Sequence, residues 1–122
     1  MDPYEYAFKC FASKWKPLIL RAIYVDHVTR FSAFKKTHYA ISEKVLSKTL
    51  RELEAEGFVK RTVFAEVPVR VEYVLTEAGQ ELIVLLDTVY RWSRKRMLEK
   101  SIPIDPVGEK FHGYVAEESL DI

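Results

Sequence analysis

SEKVLSKTLRELEAEG, residues 42–57, carries a full set of start and stop signals for one helix. Ser42 is an N-cap residue, its hydroxyl able to accept from the free backbone N–H groups of the first turn. Ile41 before it and Leu46 just after the first turn stand at the two ends of a hydrophobic staple. Gly57 can take the left-handed conformation that closes a helix. At about 100° per residue, Leu46, Thr49, Leu50 and Leu53 share one face, and Lys44, Ser47, Lys48 and Arg51 share the opposite one. Lys44 and Lys48 are like charges one turn apart, a cost of about 0.2–0.5 kcal/mol in an isolated helix. A polyanion lying along that face would reverse the sign. Taken alone, most such segments are solvated surface helices with basic residues by chance, so the flanking sequence has to decide.

Upstream, Lys14 to Tyr24 reads as a helix with Trp15, Leu18, Ile19, Ala22 and Ile23 on one stripe. Pro17 falls in its first turn, where a missing N–H does little harm. A short polar break, VDHVT, leads to RFSAFKKTH, in which Phe31 and Phe34 point inward while Arg30, Lys35 and Lys36 remain for solvent or phosphate. Two short helices joined by a few residues, the second with a polar stripe, form the helix-turn-helix pattern. Further upstream, Tyr4, Phe8 and Phe11 recur at helical spacing and predict a short N-terminal helix packed on something apolar.

Downstream of Gly57 the period changes from 3.6 to 2. FVKRTVF reads as a strand, AEVP as a turn and VRVEYVLT as a returning strand with Val69, Val71, Tyr73 and Leu75 on one face. Pro68 belongs at the tip, because it cannot donate to a ladder. With Lys60, Arg61 and Arg70 on it, this hairpin is a wing. Thr76 then caps a last helix over about Glu77–Lys100, which at 1.5 Å per residue spans roughly 36 Å, more than so small a domain can cover. Leu82, Leu85, Val89 and Trp92 form one apolar row on it, and Ile83, Leu86, Tyr90 and Met97 another. One row packs on its own domain, and the other calls for a partner, most economically a second copy related by two-fold symmetry. A monomer whose tail folds back over that row is the alternative. The cluster Arg91, Arg94, Lys95 and Arg96 complements the dipole of this helix near its C-terminus.

The expected fold class is therefore α+β, a winged helix-turn-helix domain with a long C-terminal dimerisation helix. Residues 1–102 form the domain, N-terminal arm and dimerisation helix included, and 103–122 an acidic tail without a motif, in which Phe111, Tyr114 and Val115 are the candidate anchors. The net charge of +1 hides an uneven distribution, since residues 7–102 hold 18 basic and 11 acidic groups. Such a basic body suits phosphate binding. No apolar run approaches the ~18 residues of a membrane span, and the acidic, aromatic MDPYEYAFKC is unlike a signal peptide, so a cytoplasmic location is expected. A single cysteine, Cys10, excludes an internal disulfide, and His27, His38 and His112 are too scattered for a metal site. Absence of Asn and the single Gln80 point weakly to a thermophilic source. With no Gly-rich phosphate loop and no placeable Ser/His/Asp set, neither enzyme activity nor a cofactor is expected.

KWKPLIL at 14–20, RFS at 30–32, IS at 41–42, LSKTLRELEAEGFVKR at 46–61, EVPVRVEYVLTEAG at 66–79 and Trp92 together resemble the HxlR-type winged-helix transcription regulators of bacteria and archaea. The resemblance covers about residues 8–97. It implies a homodimeric, sequence-specific double-stranded DNA-binding regulator, with the helix over 42–56 in the major groove and the wing over 59–75 on the flanking backbone. Carried over residue by residue, Ser42, Lys44, Ser47, Lys48 and Arg51 form the recognition face and Arg70 a wing contact, with Arg30, Lys35 and Arg61 as further candidate phosphate contacts. Tyr4, Phe8, Leu85, Val89, Trp92 and Met97 are the candidate dimer interface. The chain departs from the family in having Ala12-Ser13 where a Gly-Gly pair is common. Cys10 stands five residues before Trp15, where a core aliphatic is usual, so it reads as a buried small hydrophobe and not a reactive thiol. A winged helix used as a protein-interaction module, its polar stripe facing an acidic partner, is the competing reading.

Overall fold

The computed structural model of the chain describes residues 1–25, 27, 29–37 and 41–104. The break at 38–40 and the tail from 105 onward, Phe111, Tyr114 and Val115 included, lie outside the described residues.

Five helices and a two-stranded antiparallel hairpin follow in the order α1 (Pro3–Phe11), α2 (Trp15–Val25), α3 (Phe31–Thr37), α4 (Glu43–Ala55), β1 (Val59–Phe64), β2 (Arg70–Leu75) and α5 (Glu77–Glu99). This is the expected α+β winged-helix order. The Asp2 carboxylate caps α1, accepting from the N–H groups of Tyr4 (2.8 Å) and Glu5 (3.2 Å). Ser13, in the place of the second glycine of the related pattern, accepts from the Lys16 N–H at 3.1 Å and so starts α2.

α4 forms as its sequence dictates. The Ser42 hydroxyl accepts from the Val45 N–H at 3.1 Å, and both staple residues, Ile41 and Leu46, are buried. At its other end Gly57 sits at φ +84°, with the Phe58 N–H donating to the Leu53 carbonyl (2.9 Å) and the Gly57 N–H to that of Glu54 (3.0 Å). This paired pattern is a Schellman closure, and it carries Phe58 back into the core beside Leu53. The buried residues of α4 are Leu46, Thr49, Leu50 and Leu53, the face anticipated from the spacing. The core they complete is built from Ile19, Leu20, Ala22 and Ile23 of α2, Phe34 of α3, Val59 and Tyr73 of the hairpin, and Leu82, Ile83 and Leu86 of α5.

The hairpin pairs Val59 with Leu75 at its base and Phe64 with Arg70 at its end, leaving Ala65 to Val69 as the tip. Pro68 is in that tip, as expected. Val69 is too, exposed beyond the start of β2, whereas Tyr73 is buried and Val71 and Leu75 half-buried on the inward face. Thr29, the last residue of the polar break, and Arg30 after it add to the sheet. Thr29 accepts from the Tyr73 N–H at 2.8 Å, and Arg30 bridges Glu72 in antiparallel fashion. Two residues of pairing are too few to leave a period-2 signal, which is why the sequence did not reveal them.

Two buried cations fasten α2 to its neighbours. The buried Lys16 ammonium lies 2.6 Å from Glu56 and 3.6 Å from Glu52 at the end of α4, and the buried Arg21 guanidinium lies 2.6 Å from Asp87 of α5. α2 thus connects the helix of the polar stripe to the long helix through opposite charges as well as through the core.

Candidate nucleic-acid interface

Burial of Leu46, Leu50 and Leu53 turns the other side of α4 outward, and the structure places Ser42, Lys44, Lys48 and Arg51 there in the open, with Ser47 half-buried. Their charges are not equally available. Lys48 lies 3.9 Å from Glu52, a long and exposed (i, i+4) pair that holds it weakly. Lys44 and Arg51 have no ion pair or side-chain hydrogen bond among the described residues. The Ser42 oxygen is engaged as a cap, which leaves its O–H free to donate.

The outlying candidates divide in the same way. Arg30 is exposed at the bridge to β2, and Arg61 is exposed on β1 without an ion pair among the described residues. The Lys35 ammonium donates to the Ile41 carbonyl, where it ties the end of α3 to the start of α4. Arg70 is more firmly held. Its guanidinium donates to Glu66 at 3.1 and 3.2 Å, pairs with Glu72, and stacks 3.9 Å from the centre of the Phe64 ring. A phosphate approaching Arg70 meets two carboxylates that already match its charge. Sequence spacing could have suggested this network, because Arg70 lies two residues from Glu72 and four from Glu66.

Between α4 and the wing is a cleft of about 380 Å³ lined by Phe31, Ser47, Arg51, Glu54, Arg61 and Tyr73. It brings together Arg51 and Arg61, two candidates from different elements, and adds Glu54 and the two aromatic side chains, which the sequence had not singled out.

A second surface is formed by residues of α5 and α1. On α5, Leu82, Ile83 and Leu86 are buried, whereas Leu85, Val89 and Trp92 are 43%, 38% and 53% exposed. Leu82 therefore leaves the row to which its spacing assigned it and joins the inward one. Tyr4 and Phe8 of α1 are also exposed, and Met97 is half-buried. These large apolar side chains are left uncovered by the folding of one chain. Next to them Cys10 is buried, one turn along α1 from Tyr6. The nearby Cys10 side chain is the main cause of a Tyr6 pKa above the ordinary tyrosine value.

Comparison with known proteins assigns this architecture. Residues 10–101 match the model of the HxlR-like helix-turn-helix family. The chain is 41% identical to an HTH-type transcriptional regulator of Methanothermobacter thermautotrophicus over 90 residues, covering 74% of this chain and 68% of that one. It is 37% identical to another such regulator, from Halalkalibacterium halodurans, over 76% of this chain and 82% of that one. Among solved structures, the redox regulator HypR in its reduced form superposes with a TM-score of 0.74 at 34% identity, covering 82% of this chain and 99% of that one. The reduced form of the transcriptional regulator YodB from B. subtilis gives 0.66 at 35% identity, covering 76% and 91%. This chain, with its capped α4, its hairpin and its long α5, belongs to the HxlR-like helix-turn-helix family.

Proposed function

We propose that the protein is a homodimeric transcription regulator that binds duplex DNA sequence-specifically, α4 of each protomer entering a major groove and the wing lying along the adjoining backbone. The observation that carries this reading is the outward face of α4, where Lys44 and Arg51 stand without carboxylate partners among the described residues beside a hairpin that projects an equally uncommitted Arg61. Such charges neutralise phosphates and release counterions, which supplies affinity but little sequence information. Lys44, Ser47 and Lys48 lie nearer the N-terminus of α4 than Arg51 and are the better placed to reach base edges. With no Asn or Gln on this face, bidentate reading of adenine is unavailable to it, so guanine is the base for Lys44 or Lys48 to read. Pairing of two protomers through Leu85, Val89 and Trp92, with Tyr4, Phe8 and Met97 at the margin, would cover the exposed row of α5 and set two recognition helices on one duplex.

Titration of labelled genomic fragments with the wild-type protein and Lys44→Glu, over a range of salt concentrations, tests the reading. Expected is wild-type binding that weakens steeply with salt and a variant weaker on every fragment. Absence of wild-type binding at low salt refutes it and favours an acidic protein partner.

A further inference from the structure

We propose that the cleft between α4 and the wing is a phosphate seat, in which Arg51 of the helix and Arg61 of β1 grip a single phosphodiester of the DNA backbone. This rests on the DNA-binding reading above and goes beyond it, because two elements that could each touch a different phosphate are assigned the same one.

Three observations support the seat. Arg51 and Arg61 line one cleft together with the Ser47 side chain. Neither guanidinium has an ion pair or side-chain hydrogen bond among the described residues, while the neighbouring Arg70 is matched by Glu66 and Glu72 and Lys35 is turned to a backbone carbonyl. The walls are rigid, since Tyr73 is buried and packs edge-to-face on Phe34, with ring centres 6.4 Å apart. Two like charges facing one cleft repel each other until an anion enters. The planar forks of two guanidinium groups suit the oxygens of a phosphate better than ammonium groups would. Glu54 on the same lining opposes the anion, so the seat holds one phosphate without becoming a general sink for anions. Functionally, a shared phosphate would fix the wing relative to α4 and so set the register of the helix in its groove.

The test uses the full-length protein and a duplex that it binds, in which one phosphate at a time is replaced by an uncharged methylphosphonate. For the wild type, one position in each half-site should cost about 10–100-fold in affinity. In Arg51→Ala and in Arg61→Ala the penalty at that same position should shrink, because one of the two groups that sense it is gone, and in the double variant it should become nearly silent. The salt dependence gives a second readout, for the double variant should lower the slope of log K against log salt by ~0.9 per half-site if the phosphate is shared and by ~1.8 if there are two. Glu54→Gln should raise affinity a few-fold. The proposal is overturned if the two arginine variants lose sensitivity at different positions, or if their double variant loses the larger slope. Failure of the wild type to bind any duplex is a separate result that removes the DNA-binding reading itself.

Discussion

Gly79 of α5 lies so close to the Phe58 carbonyl that a Cβ built on it would sit 2.1 Å from that oxygen. The same carbonyl accepts the Thr76 N–H at 3.1 Å, and the Thr76 hydroxyl, donating to the Gly57 carbonyl at 2.5 Å, also accepts from the Gly79 N–H at 3.1 Å. The end of α4, the root of the wing and the start of α5 are thereby joined at one point. Gly79→Ala must push backbone away from backbone, and it should destabilise the fold by about 3 kcal/mol or more in denaturant titration. Gly57→Ala meets open space but a positive φ, so a smaller loss of about 1–2 kcal/mol is expected.

The exposed α5 row makes a prediction about assembly. Leu85→Asp or Val89→Asp places a carboxylate on a surface that folding of one chain leaves uncovered. Sedimentation should show a folded monomer for each variant and a dimer for the wild type. A variant that stays a dimer would place the interface elsewhere.

On the wing, Arg61 and Arg70 should differ. Arg61→Ala removes an uncommitted charge and should weaken DNA binding about 10-fold or more and flatten its salt dependence. Arg70→Ala leaves Glu66 and Glu72 unpaired and uncovers Phe64, so it should loosen the hairpin with a smaller loss of affinity. Fluorescence anisotropy with both variants separates the two roles.

Cys10 is the buried residue of α1. Oxidant or a thiol-blocking reagent applied without denaturant should leave DNA affinity unchanged, and labelling should require unfolding. Rapid labelling of the native protein, accompanied by release of DNA, would contradict this and make Cys10 a sensor.

Lys16→Met removes the cation that links α2 to α4. Glu56 and Glu52 remain partly in water, which limits the cost to about 1–2 kcal/mol, since only the lysine side is deeply buried. Thermal unfolding should show the loss, and Lys16→Arg should recover most of it.

Much of this was legible in the sequence because local signals and the global fold agree. The cap at Ser42, the staple of Ile41 and Leu46, the closing Gly57 and the apolar stripe of α4 each name the same helix, and the switch to period 2 at Phe58 names the wing. What escaped reading depends on distance in space. The pairing of Thr29 and Arg30 with β2 leaves no periodic trace, and the burial of Lys16 and Arg21 follows from carboxylates 40 and 66 residues away along the chain. Arg51 and Arg61 were both candidates for phosphate contact, but their meeting in one cleft follows from how the wing folds back beside α4 and not from any spacing.

The central claim, two basic recognition helices held by one dimer against a single duplex, is most directly tested by sequencing the fragments that the purified protein selects from a random duplex pool. The account predicts an enriched inverted repeat with half-sites about 10–10.5 base pairs apart, centre to centre, or a multiple of that. Recovery of a pool with no common sequence would contradict it.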